Sequence, residues 1–415
     1  MSDNTVYEVP PEDTPAWFRA CIAGFLDAAE PTEEDVAAFL ASGHPGQRRF
    51  GVRDGGRYVA TYRTFPHEAT LPGGAAVTSH AVSSVTVRAT HRRRGLLRSM
   101  IEPDLRAARE RGELMASLIA AEYPIYGRFG FGPAAHLAEW TVDLPRAALA
   151  TRGPGPADAG RVDFADAEEV RRLGPELHRR FRRTVPGAIS RPASWWRRQT
   201  GELRSSWETW TERFYALYRS AQGEVEGLVA YTVDDRWPSK QPDVTATVHD
   251  LLAVTPAAER ALWHHLFDID WVMHVASGGR APDDVLPDLL GDPRAARPTS
   301  CADFLWLRPL DVPGLLRARG YRGTGRLVLD VTDPLGLAAG RYLLDVEEDG
   351  VSCATTTREP DLTLGVGDLA RLLLGDASVV RLGTLGRIAE GRAGALERAE
   401  GLLRGGRRAW CPDSF

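Results

Sequence analysis

Lysine is almost missing: among 415 residues Lys240 stands alone, and arginine carries the rest of the basic side-chain charge. So uniform a replacement reads as a coding bias of the genome and carries no functional weight. Cysteine is scarce as well. Cys21, Cys301, Cys353 and Cys411 are far apart and show neither CxxC nor Cys/His ligand spacing, which excludes a disulfide scaffold or a zinc module and predicts free thiols in a reducing cytosol. The histidines have no ligand spacing either, so no metal is expected. No apolar run approaches the roughly 18 residues that a membrane span needs. The opening MSDNTVYEVPPEDTP lacks the basic, apolar, small-residue order of a secretory signal, so a cytoplasmic chain is expected. A formal charge of −5 and a pI near 6.1 argue against general affinity for nucleic acid or anionic membranes.

The chain has 43% hydrophobic and 26% charged residues, the balance of ordinary globular domains. Its length predicts more than one core, and three units are expected. The first, 1–150, alternates β-rich runs with turn pairs: Phe50 to Val52, Gly55-Gly56, Tyr58 to Phe65, Pro72-Gly73-Gly74, Val77 to Val87. Three consecutive strands follow from this pattern. Leu96, Met100, Ile101, Leu105 and Ala108 then recur at helical spacing up to Gly112. The apolar LMASLIA and the Gly-punctuated YPIYGRFGFGPA complete an α/β unit. The segment TRGPGPADAG, 151–160, is the clearest linker.

The second unit, 151–300, repeats the strand-turn-helix plan in TATVHDLLAVTPAAERALWHHLFDID. With Val254 set against Val87, the segment Arg92-Arg93-Arg94-Gly95 becomes Glu259-Arg260-Ala261-Leu262, which has lost the glycine and most of the positive charge. It is expected to pack without holding a phosphate. The third unit, 301–415, is an α+β module that closes on Trp410 and a terminal Phe415.

The strongest chemical signal is SSVTVRATHRRRGLLRSMI, where a strand passes through a basic turn and Gly95 into an amphipathic helix. A pyrophosphate needs several N–H donors aimed at one point, and the first turn of a helix supplies them with its dipole. Gly95 lets the backbone approach closely, while Arg92, Arg93 and Arg94 supply charge. The strand residues Val85, Thr86 and Val87 offer backbone groups to a peptide-like arm, as an added strand would. Coenzyme A fits such a turn. Taken alone, three arginines are more often a solvated loop; the strand before them and the helix after them decide otherwise.

This stretch resembles the GNAT superfamily of acetyltransferases, whose acetyl-coenzyme A signature is R/Q-x-x-G-x-G/A. Arg92, Arg93, Arg94, Gly95, Leu96 and Leu97 occupy it, with Leu97 in place of the usual small residue and Arg98 following. Together THRRRGLLRSM, EYPIYGRFGFGPA, a second degenerate unit and a C-terminal module ending in Phe resemble the enhanced intracellular survival (Eis) family of N-acetyltransferases over the whole chain. The resemblance implies an α/β (α+β) fold of two tandem GNAT-like domains, the second degenerate, followed by a sterol-carrier-protein-like domain. It also implies a homohexamer built as a dimer of trimers. The implied reaction is direct transfer from acetyl-coenzyme A to small-molecule amines, aminoglycosides or other polyamines.

By the same resemblance Tyr126 is the acid toward the sulfur and the α-carboxylate of Phe415 the base, since Ser83-Ser84-Val85 provides no glutamate. Ala121 and Glu122 are implied near the thioester, and Phe25, Asp27 and Ser84 on the acceptor side. From the residues alone, Tyr126 is a plausible core aromatic, Phe415 a frayed end, and Glu122 and Asp27 equally well solvated side chains. Two other readings remain from sequence: a protein lysine acetyltransferase, with the same chemistry and another acceptor, and a non-enzymatic lipid or small-molecule carrier resting on the C-terminal module.

Overall fold

The computed structural model describes residues 5–147, 160–204 and 210–415; most of the expected linker, 151–159, lies outside them. The first unit begins with β1 (Val6–Glu8), then helices α1 (Thr14–Gly24) and α2 (Glu33–Ala41). Strands β2 (Arg48–Asp54), β3 (Arg57–Thr70) and β4 (Ala76–Val87) follow as an antiparallel meander. The predicted strands are all present, and longer, because each turn pair closes a hairpin tightly. Helix α3 (Leu96–Glu110) buries Leu96, Met100, Ile101, Leu105 and Ala108, the stripe set by the helical spacing. Burial of each large side chain there stabilises by about 1.5–3 kcal/mol. Strand β5 (Met115–Ile119) returns parallel to β4, and helix α4 (Tyr123–Tyr126) leads to β6 (Gly132–Pro133) and β7 (His136–Asp143).

The boundaries expected at 150 and 300 do not coincide with the sheets. The first sheet runs β1-β2-β3-β4-β5, then the strand Leu305–Pro309, then β6. Strand β7, expected in the first unit, lies in the second sheet between Ala296–Asp303 and Val272–Ala276. The two exchanged strands run side by side: His136 pairs with Asp303 in the second sheet, and Pro133 with Trp306 in the first. Between them Ala134 N–H donates to Leu305 O at 2.9 Å and Phe304 N–H to Ala135 O at 3.0 Å. One antiparallel pair thus threads both sheets. Sequence patterning marks strands but not which sheet a strand joins, so this exchange was not visible in it.

The second unit keeps the strand-turn-helix plan, with Val244–Ala253 feeding the helix Pro256–Phe267. At its turn Thr255 accepts from Ala258 N–H at 3.2 Å, and Glu259 pairs with Arg280 at 3.2 Å. A capped, acidic helix start is a poor phosphate site. The third sheet has the order Gly350–Thr355, Gly340–Glu347, Gly325–Thr332, Leu362–Gly365, Ile388–Glu390. Arg308 and Asp333, whose side chains are both buried, join this module to the first sheet through bonds of 2.8 and 2.7 Å.

Inside the first unit, His80 on β4 is clasped by Asp104 of α3 at 2.6 Å and Glu113 at 3.0 Å. Burial works against the charged imidazole, but the hydrogen bonds and charges of the two carboxylates outweigh it and raise the pKa to about 9. A folded pKa above the unfolded one gives stability that is complete below about 6.5 and lost as pH rises through 9. The contribution is roughly 3 kcal/mol at most. We therefore expect the urea midpoint to fall between pH 6 and 9.5, and His80→Gln to lower it at pH 6 and flatten that slope. An unchanged slope in the variant would assign the pH dependence elsewhere.

Candidate functional site

Strands β4 and β5 pair only over Ser79 with Met115, His80 with Ala116 and Ala81 with Ser117. Beyond that they part. At the same point β4 carries a bulge: Thr61 faces Thr86 but Arg63 faces Ser83, so β4 has one residue more than β3. Ser84 takes up the difference with φ 52°, a left-handed conformation that non-glycine residues seldom adopt. Thr61 pins it, donating from Oγ1 to Ser84 O at 2.9 Å and sharing a 2.7 Å hydrogen bond with Thr86 Oγ1. The edge of β4 facing β5 consequently has no paired strand from Val82 to Val87 among the described residues.

The opened space is a cleft of about 490 Å³. One wall is Val85, Thr86 and Val87; the floor is the turn with Arg92, Arg93, Gly95, Leu96, Leu97 and Arg98. Ala121 and Glu122, just past β5, and Tyr126 form the opposite wall, with Phe25 at the rim. Eleven of these were marked by sequence as cofactor residues and one each as acid and acceptor contact. Arg94 is exposed and bonds Thr90 O at 2.9 Å; it is in the turn but not on the cleft wall. Gly24, His91, Ile125, Arg128 and Phe129 also line the cleft and were missed. The four-residue helix α4 and the single 3-10 turn Gly127–Phe129 after it explain three of these, since they set Ile125, Arg128 and Phe129 beside Tyr126.

Helix α3 starts at Gly95 with φ 82° and no side-chain cap. A Cβ there would meet no protein atom within 4 Å, so the glycine answers to backbone conformation and to the cleft rather than to crowding by the chain. The uncapped first turn, the dipole and the arginines all favour an anion at one spot. Gly24 of α1 abuts the β4 wall so closely that a Cβ would lie 2.3 Å from Thr86 Oγ1.

Tyr126 is 7% exposed. Burial, with a smaller contribution from the Glu122 charge, pushes its phenol up to about 12, so the hydroxyl stays protonated at any physiological pH. Ser84 sits at the bulge and is not among the residues lining the cleft. Asp27 lines a different hollow, with Asp13, Glu30, Arg19 and Arg53, and its Oδ1 accepts from Ala29 N–H at 2.9 Å.

Phe415 is not on the cleft. It lies in a neighbouring cavity with His44, Arg63, His67, Trp195 and Arg198, its ring edge-on to His67 at 4.8 Å and to Phe65 at 6.0 Å. The two cavities share no lining residue, yet they abut at the bulge: Arg63 donates to Ser83 Oγ at 3.1 Å, while Val85 faces the cleft. The tail is tied down two residues earlier. Arg191, with a side chain 1% exposed, donates Nε to both oxygens of Asp413 at 2.9 and 3.1 Å and grips Asp250 at 2.8 and 2.9 Å. Asp250 belongs to the second sheet, so the degenerate unit anchors the end of the chain.

Comparison with known proteins agrees with this architecture. Models described as acetyltransferase (GNAT) domain match residues 5–134 and 187–309, and a sterol carrier protein domain model matches 312–412. An uncharacterized N-acetyltransferase of Streptomyces avermitilis is 56% identical over 100% of this chain and 99% of its own length. The N-acetyltransferase Eis of Mycobacterium tuberculosis is 33% identical over 88% of each chain. The crystal structure of Eis1 from Mycobacterium abscessus superposes with a TM-score of 0.85 at 28% identity, covering 99% of this chain and 100% of that one. With two GNAT domains, a sterol-carrier-like third domain and a full-length relative above 30% identity, the chain belongs to the Eis-type family of GNAT N-acetyltransferases.

Proposed function

We propose that this acetyltransferase takes acetyl-coenzyme A into the cleft between β4 and β5 and delivers the acetyl group to a small-molecule amine, with Tyr126 as acid and the Phe415 carboxylate as base. The observation that carries the reading is the convergence of three features on one cleft: an unpaired β4 edge, an uncapped helix start behind a basic turn, and a buried phenol. The unpaired edge suits a peptide-like arm, and the turn suits a pyrophosphate. Acetyl-coenzyme A supplies an activated thioester. The amine nitrogen bonds to the acyl carbon as the carbon–sulfur bond breaks; the ammonium gives one proton to the terminal carboxylate before attack, the phenol protonates the departing sulfur, and the second proton lost by nitrogen as the amide forms restores the phenol.

The acceptor expected from the resemblance is an aminoglycoside or another polyamine, with protein lysine as the alternative. Phe25 lies at the cleft rim, whereas Asp27 in its own hollow lends the acceptor reading no support. A terminal carboxyl has an ordinary pKa of about 3.3–3.7, so it works as a base only if held in place, and the Arg191 clamp on Asp413 provides the holding. The carrier reading gains nothing from the cleft, which a carrier does not need. A homohexamer is part of the proposal only through the family resemblance.

Gly95→Val places a β-branched residue at φ 82° and fills the approach to the turn; calorimetry should show acetyl-coenzyme A affinity reduced at least about tenfold. Undiminished affinity would refute the turn as the phosphate site. Tyr126→Phe should lower kcat by about 100-fold or more with cofactor affinity intact; full turnover would remove the phenol from the mechanism. Deleting Phe415 should reduce thiol release in the presence of kanamycin by a similar factor of about 100, and adding Asp413→Asn to that truncated chain should change nothing more. An additional loss in the double variant would show the clamp acting otherwise than through the terminal carboxylate.

A further inference from the structure

The cavity around Phe415 has a charge pattern that a polycation does not match. Arg63 lies in its wall, directly opposite Ser83 on β4 and one residue from the bulge where the two cavities meet. Among the described residues its guanidinium donates to Ser83 Oγ and has no carboxylate partner, and its Nε is buried without a hydrogen bond. Burial, with the nearby charges of Arg49 and Arg198, pushes Arg63 down to about 10. The rings of Phe65 and Phe39 beneath it, at 5.2 and 5.9 Å, return part of what solvent has lost. A buried cation without an anion is costly to keep. The one carboxylate side chain in the same wall, Asp413, is already committed to Arg191.

The histidines agree. His44 stacks on Phe65 at 3.7 Å and is held neutral, down to about 4, by burial and then by the charges of Arg63 and Arg198. His67, bonded to Ser117 Oγ at 2.7 Å, is lowered by burial to about 3. A wall that keeps two imidazoles uncharged disfavours a further positive charge beside them. The cavity is also small, about 80 Å³, against about 300–1,000 Å³ for sites that enclose drug-sized ligands. It has room for a short chain and not for a multi-ring sugar. The α-carboxylate of Phe415 is the exception to the positive pattern, and it belongs to the residue assigned as base.

We propose that this cavity is the acceptor site and that its substrate is an amine bearing a carboxylate, an amino-acid-like zwitterion, with the carboxylate on Arg63 and the ammonium toward the terminal carboxylate of Phe415. This rests on the acetyltransferase reading above and puts an amino-acid-like acceptor in place of the polyamine. Anchored by Arg63, the nitrogen is presented at the bulge, beside Val85 and the cleft. The bond changes are those given above: nitrogen to acyl carbon formed, carbon to sulfur broken, one proton from nitrogen to the carboxylate, one from Tyr126 to the sulfur, and the second from nitrogen back to Tyr126.

The test is thiol release from acetyl-coenzyme A by the full chain with matched pairs of acceptors: L-lysine and cadaverine, L-ornithine and putrescine, L-phenylalanine and phenethylamine, with kanamycin alongside. In at least one pair the carboxylated member should have a kcat/KM at least about tenfold higher, the size of a charge-assisted pair. Arg63→Met, which keeps an apolar stem over Phe65, should bring that ratio to about one. The comparison in the unaltered chain decides the matter even if the variant fails to fold. Kanamycin or the bare amines turned over as well as or better than every amino acid would overturn the carboxylate requirement while leaving the acetyltransferase standing. Thiol release with none of these amines would overturn both.

Discussion

Everything the first unit does follows from the parting of β4 and β5. Parallel strands ordinarily continue their ladder, because an abandoned backbone edge inside a protein costs the hydrogen bonds it forgoes. Here pairing stops after Ala81 and Ser117, and the bulge at Ser84 keeps β4 turning away from β5 while remaining bonded to β3. The Thr61 hydroxyl, buried at 1% exposure, holds that local strain by bonding both Ser84 and Thr86. The cleft is therefore a backbone feature first. The arginines, Gly95 and Tyr126 furnish it, but none of them would have a space to face if the ladder continued.

A cleft opened this way needs rigid surroundings, and the strand exchange provides them. With Leu305–Pro309 bonded to β5 on one side and β6 on the other, the strand that departs from β4 still has a full partner on its far edge. The same pair of chain segments continues into the second sheet through His136 and Asp303. Moving one unit against the other would require breaking a continuous ladder rather than sliding two surfaces. Arg308 on that inserted strand, bonded to Phe129 O at 3.2 Å and paired with Asp333, holds the Tyr126 segment against the third unit. Breaking so deeply buried a pair from one side costs about 3–5 kcal/mol, so these contacts fix geometry as much as they stabilise.

How much of this was legible in the sequence differs by the range of the interaction. The strand before the basic turn, the helix after it and its buried stripe are local, and periodicity and turn residues disclosed them. So did the degenerate repeat, because a missing glycine and a Glu259 in place of positive charge are visible without coordinates. The bulge was not legible: Ser83-Ser84 has no glycine to advertise a positive φ, and the conformation is imposed by Thr61 from a neighbouring strand. The exchange of β7 and Leu305–Pro309 was hidden for a similar reason, since both are short strands whose partners lie more than 130 residues away. Asp27 was expected on the acceptor side by resemblance; its Oδ1 accepts from the nearest backbone N–H, that of Ala29, in a hollow apart from the cleft.

The terminal residue is positioned by all three units. A chain end loses little by fraying, so a carboxylate there can serve chemistry only if something upstream is held. Arg191 does this with five donors in a planar fork, which satisfies Asp250 and Asp413 together where a lysine would not. Asp413 is itself unfavourably placed: burial raises its pKa, and Arg191 only partly offsets that. Such a triad is poor value as pure stabilisation, since apolar side chains of equal volume would do as well. Its worth is geometric. It couples the second sheet, which has lost its own phosphate turn, to the last three residues of the third unit, and so places the end of the chain beside the bulge of the first.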